Sequence, residues 1–123
     1  MNDLLAGLVN AAGAAATAGH WQEAERLWAQ VRARDPGHVQ ALFSLGVHAF
    51  QRNDSAAALD LLEQARAGAP GDPMIPLSIA RVHREAGRTE QEWAAIIAAL
   101  DIDPYFLPGL LALQIVFSGA YGL

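Results

Sequence analysis

The sequence predicts an all-α protein made of helical hairpins stacked side by side, and three observations carry that expectation. The 123-residue chain is rich in alanine and poor in runs of β-branched residues, a composition that favours helix. Pro36, Pro70 and Pro104 stand 34 residues apart each time, within RDPGH, GAPGD and DIDPY. Apolar and small residues then fall into columns at that same spacing, so the chain repeats itself.

Each proline has a mechanical role, because it cannot continue the helix before it and biases its predecessor away from helical geometry. If each one closes a unit, the repeats run 5–38, 39–72 and 73–106, and a partial repeat or capping helix occupies 107–123, all within a single domain spanning 1–123. Leu8, Leu42, Pro76 and Leu110 share one column, and Trp28, Leu62 and Ile96 another. Val31, Ala65 and Ala99 form a third. Ala24 and Ala58 occupy a column where a small residue lets two helices approach closely, and Glu92 stands there in the third repeat. Gly19, Asn53 and Gly87 mark the turn inside each hairpin, since both residue types tolerate the left-handed conformation that ends a helix.

These signals predict helices over about 4–17 and 21–33, 39–51 and 55–67, 73–86 and 90–101, and 107–118. The first repeat rests on Gly19 and a strongly patterned second helix. In the second, QALFSLGVHAF is apolar around most of its circumference, as in a helix buried between neighbours, and Asp54 or Ser55 can cap the helix that follows. In the third, TEQE at 89–92 reads as a capping box, with Thr89 covering the first amides and Glu92 reaching back. The last helix runs into LLALQIVFSGAYGL, residues 110–123, which holds no charged side chain.

The middle unit, VQALFSLGVHAFQRNDSAAALDLLEQARAGAPGD, resembles a tetratricopeptide repeat: Leu42, Leu45, Gly46, Ala49, Ala58, Leu62, Ala65 and Pro70 match that family's pattern. The third repeat departs from it with Ala80 in place of Gly and Glu92 in place of Ala, and the first lacks the early Gly. The resemblance implies a right-handed superhelical stack in which the first helices of successive repeats line a concave groove for a peptide or helix. Carried over column by column, the groove residues are Val9 in the first repeat, joined by Gly13 and Ala16, and Gln40, Phe43, Val47, Phe50 and Gln51 in the second. The third contributes Met74, Leu77, Arg81 and Arg84, and the partial repeat Leu111 and Ile115. Family members that grip a peptide's terminal carboxylate do so with Lys and Asn; here Val9, Gly13, Phe43 and Val47 stand in those columns, which removes that activity. A narrower likeness links LDIDPYFLPGLLA, and AERLWAQVRARDPGHVQALFSLGVHAFQRNDSAAALDLLEQA before it, to the non-catalytic arm of bacterial aspartyl/asparaginyl β-hydroxylase-like proteins. That family's iron-binding residues and 2-oxoglutarate site have no counterpart, so no activity follows from it.

Composition narrows the function further. Without cysteine there is no thiolate zinc site, thiol catalysis or disulfide framework. All eight basic residues are Arg, against thirteen acids and a net charge of −5, which disfavours nucleic acid. The apolar first 19 residues carry Asp3 and no basic residue, unlike a secretory signal. The chargeless stretch after Pro104 is interrupted by Pro108, Gly109, Gln114, Ser118, Gly119 and Gly122 and is too short in its helical part to cross ~30 Å of hydrocarbon. The expectation is a cytoplasmic protein.

No catalytic, cofactor or metal residues are assigned. His20 and His38 lie near turns, and His48 and His83 fall in different columns. His83 and Glu85 in HRE point about 160° apart on a helix and cannot clamp one metal. Asp101 and Asp103 of DIDP are two close carboxylates at a helix end, where solvation explains them, and no phosphate loop or nucleophile elbow is present. The expected function is a non-enzymatic scaffold for a protein or peptide partner, with a homodimer through the last helix as one form of it. The association surface there comprises Leu110, Leu111, Leu113, Ile115, Val116 and Phe117, and burying even ~300 Å² of it contributes roughly 7 kcal/mol. The alternative is a substrate-recognition or orienting arm of a 2-oxoglutarate oxygenase.

Overall fold

A computed structural model describes residues 2–121, with the side chains of residues 3–119; the last two residues of the apolar C-terminal stretch lie outside them. Seven helices follow one another among the described residues, with no strand: α1 (Asn2–Thr17), α2 (Trp21–Arg34), α3 (Val39–Gln51), α4 (Ser55–Gly68), α5 (Met74–Glu85), α6 (Thr89–Ile102) and α7 (Leu107–Tyr121). The chain is an all-α helical repeat. The limits of the first six helices fall within two residues of the expected ones, while α7 runs through Gly119 to Tyr121.

The repeat is visible in the hydrogen bonds themselves. Gly19, Asn53 and Gly87 hold φ values of 80°, 63° and 73°. The amide after each donates back across the turn, His20 to the Ala15 carbonyl at 2.8 Å, Asp54 to Ala49 at 2.9 Å and Arg88 to His83 at 2.9 Å. These are the six-to-one bonds that close a helix on a left-handed residue. At the proline turns, His38, Asp72 and Phe106 donate to the carbonyls of Asp35, Ala69 and Asp103 at 3.0, 3.2 and 3.1 Å. Pro36, Pro70 and Pro104 therefore occupy equivalent places in three equivalent turns. Pro76 sits in the first turn of α5, where its missing amide proton has no intrahelical partner to lose.

Two compact units divide the chain, Met1–Gly68 and Ala69–Leu123. In the first, α1 pairs with α2, α3 pairs with α4, and α2 packs on α3. Ala12, Ala24, Trp28, Val31 and Ala41 form its central cluster, with Leu5, Leu8 and Val9 packed against it. In the second, α5 pairs with α6, and α7 lies on α6. Ile96, Ala99, Leu77, Val82 and Val116 are buried there. Two of the columns read from the sequence lie wholly inside, Trp28, Leu62 and Ile96 being buried, as are Val31, Ala65 and Ala99; in the column of Leu8, Leu42, Pro76 and Leu110, Leu8 is half-buried and Leu110 is 41% exposed. Each large member contributes about 2 kcal/mol by leaving water.

One local expectation needs correction. Thr89 is the first residue of α6 rather than its cap; Arg88 precedes it with no side-chain capping bond. The helix begins one residue early, so Thr89 has helical geometry and Glu92 turns inward instead of reaching back. At α3 the cap is one that preference rules overlook: His38 Nδ1 accepts from the Ala41 amide at 3.2 Å. Asp54 does cap α4, its Oδ1 accepting from the Ala57 amide at 3.2 Å.

Candidate functional site

Within the first unit, α3 turns one stripe into the core and leaves the other accessible. Ala41, Leu42, Leu45, Gly46 and Ala49 are buried, whereas Phe43, Val47 and Phe50 are partly exposed and Gln40 and Gln51 are exposed. Spacings of three and four residues place this second set along one side of the helix. On α1, Val9, Gly13 and Ala16 are partly exposed as well, and Val9 and Ala16 also pack against the core cluster. The two Phe rings are thus shared between core and surface.

Within the second unit, the residues of α5 expected in a groove divide differently. Arg81 and Arg84 are exposed and Met74 is half-buried, but Leu77 is only 2% exposed and belongs to the interior. Arg81 and Arg84 stand at a cavity of about 320 Å³ between α5, α6 and α7. Its apolar walls are Leu77, Ala80, Ile96, Leu107, Pro108, Leu111, Ala112 and Ile115. Glu92 enters the same cavity from α6, and a second cavity of about 240 Å³ adjoins it through Arg84, Glu92 and Ile115. Burial of Glu92 raises its pKa above the ordinary carboxylate range, and attraction by Arg84 pulls the other way. The column alone did not reveal this carboxylate as part of a site; the signal available was an acid in a position occupied by alanine in the other two repeats.

Helix α7 presents the largest apolar surface of the second unit. Leu107, Leu110, Leu111, Ile115 and Phe117 are between 41% and 62% exposed on a helix with no charged residue. Leu113 is half-buried and Val116 turns inward, so these two do not share the outer face equally.

The histidines serve the scaffold. His38 caps α3, and His83 Nδ1 accepts from Arg88 Nε at 3.0 Å. His48 is buried, with the Trp21 ring 6.1 Å away in an edge-on arrangement. Asp103 Oδ1 accepts from the Tyr105 amide at 3.0 Å, which makes it a turn residue. Among the described residues no three His, Asp or Glu side chains gather as metal ligands. A cavity of about 490 Å³ in the first unit, bounded by Ala29, Arg32, Ala33, Pro36, Leu45, Arg52 and Leu61, was not legible from the columns. No helix among the described residues is long and apolar enough to cross a membrane.

Comparison with known proteins agrees with this architecture. The family model for the tetratricopeptide repeat matches residues 9–73. The Yersinia enterocolitica type III secretion translocator chaperone SycD, in an alternative dimer, superposes with a TM-score of 0.88 at 13% identity, covering 98% of this chain and 97% of that one. PcrH, in complex with the chaperone binding region of PopD, gives 0.84 at 16% identity, with 96% and 92% covered. A Thermobaculum terrenum O-GlcNAc transferase mutant gives 0.83 at 23% identity over 91% of this chain, which spans only 22% of the transferase. Likeness at such identities shows the fold. No curated protein matches the sequence.

Proposed function

We propose that this chain, which belongs to the tetratricopeptide repeat family, is a non-enzymatic interaction protein of one repeat domain. It binds an apolar peptide or helix, or a second copy of itself. The observation that carries the reading is α7: five large apolar side chains are 41–62% exposed along a helix that has no charge to keep it in water. A contiguous apolar patch of that kind marks an interaction surface. The partly exposed Phe43 and Phe50 of the first unit and the arginine-rimmed cavity of the second supply further contact chemistry, since aromatic and Arg side chains dominate the energetics of protein interfaces. Two structural neighbours lend support, PcrH solved with the chaperone binding region of PopD and SycD solved with a peptide of YopD. The role of an orienting arm in an oxygenase has only sequence likeness behind it, that of residues 24–65 and that of LDIDPYFLPGLLA, which here spans the end of α6, the turn at 103–106 and the start of α7.

Sedimentation velocity at high micromolar concentration tests the reading. A dimer is expected, or failing that a monomer that binds a hydrophobic dye, and replacing Leu111 and Ile115 by Asp removes either behaviour. A monomer that binds no dye would overturn it.

A further inference from the structure

The first two repeats place Ala24 and Ala58, both fully buried, where the third places Glu92. A carboxylate needs more room than a methyl group and cannot be packed dry against apolar neighbours without cost. At this position the second unit is not close-packed: the two adjoining cavities, about 320 and 240 Å³, both border Glu92. Glu92 itself is 8% exposed, and Arg81 and Arg84 flank the larger cavity. Two guanidiniums against one carboxylate leave a single positive charge in excess beside the apolar walls of Ile96, Leu111 and Ile115.

We propose that the cavity between α5, α6 and α7 binds a carboxylate carried on an apolar group, and that Glu92 couples its occupancy to proton uptake. The inference deepens the peptide-binding reading and rests on it only for the occupant belonging to a peptide. An entering carboxylate gains Arg81 and Arg84 but meets the negative charge of Glu92 in the same small space, and like charges so placed favour the protonated form of one of them. The groups facing Glu92 set the direction. From α5 come Arg84, which stabilises its ionised form, and Arg81 at the cavity wall. His83 of that helix is instead held by Arg88. Helix α7 brings no titratable group over residues 107–119, and the near neighbour on α6 itself, Thr89, is uncharged. Burial already raises the pKa of Glu92, and a second carboxylate raises it further, so binding takes a proton from solvent and strengthens as pH falls.

Hexanoate is the probe, with acetate as the control lacking an apolar body, followed by NMR on the Ile96 and Ile115 methyl groups. As pH falls from about 7.5 to about 5.5, hexanoate affinity is expected to rise about threefold, with acetate weaker throughout. Glu92→Gln binds without that pH dependence, and at the higher pH more tightly than the native chain. Glu92→Ala, which restores the residue type of the other repeats, behaves likewise and keeps the test usable should the amide variant fold poorly. Arg81→Gln with Arg84→Gln loses binding. Absence of hexanoate binding, a flat pH profile in the native chain, the native slope surviving in both Glu92 variants, or binding unaffected by the arginine changes would each overturn the proposal. None of these outcomes depends on a protein partner, so the self-association test stands or falls separately.

Discussion

A methyl group placed on Gly46 would lie 2.9 Å from Leu62 Cγ, so α3 and α4 meet through a glycine that leaves no room for a larger residue. Leu62 is 1% exposed and has nowhere to retreat. Two effects oppose each other in Gly46→Ala. Alanine improves helix propensity by about 1 kcal/mol, while overpacking a closed core costs about 1–3 kcal/mol. The second wins, and the variant is expected to lose about 1 kcal/mol in urea unfolding followed by circular dichroism. A variant as stable as the native chain would mean that Leu62 yields.

Two tryptophans on α2 should respond very differently to truncation. Trp28 is 2% exposed within the core of the first unit, whereas Trp21 is 54% exposed. Trp28→Ala is expected to cost about 3–5 kcal/mol from lost burial and the cavity left behind. Trp21→Ala should cost less, about 1–2 kcal/mol, because about half of that side chain stays in water. Equal losses in the same unfolding experiment would contradict the packing of α2.

His48 links stability to pH. Its pKa is lowered chiefly by burial, with Glu25 raising it and Arg52 lowering it further. A histidine depressed in the folded state binds protons more readily when unfolded. Its contribution is therefore fully present above the ordinary histidine pKa and is lost as pH falls below that value toward the folded one. Stability is expected to decline as pH falls from about 7 to about 5, and the decline should shrink in His48→Gln. Melting temperatures across that range check it; an unchanged slope in the variant would assign the effect elsewhere.

The expectations drawn from sequence succeeded where a residue's role depends on the backbone it occupies. Proline cannot continue the helix that precedes it, and Gly or Asn holds a positive φ at little cost, so Pro36, Pro70, Pro104, Gly19, Asn53 and Gly87 located every turn. They were weaker where a role depends on what lies opposite. Thr89 and Glu92 have capping-box spacing, yet Glu92 is buried at the cavity beside Arg84. His38 caps a helix although histidine is not a preferred cap.

By itself, then, the order of residues determined the period, the helices, their turns and the columns that enter the core, because those follow from dihedral preference and from burial repeated every 34 positions. Packing in three dimensions decided the rest. It drew Leu77 and Val116 inward while leaving Leu111 and Ile115 outside, and it put Glu92 into a cavity with two arginines. Which side of a helix faces its neighbour, and how much room remains there, is a property of the assembled side chains that no single column contains.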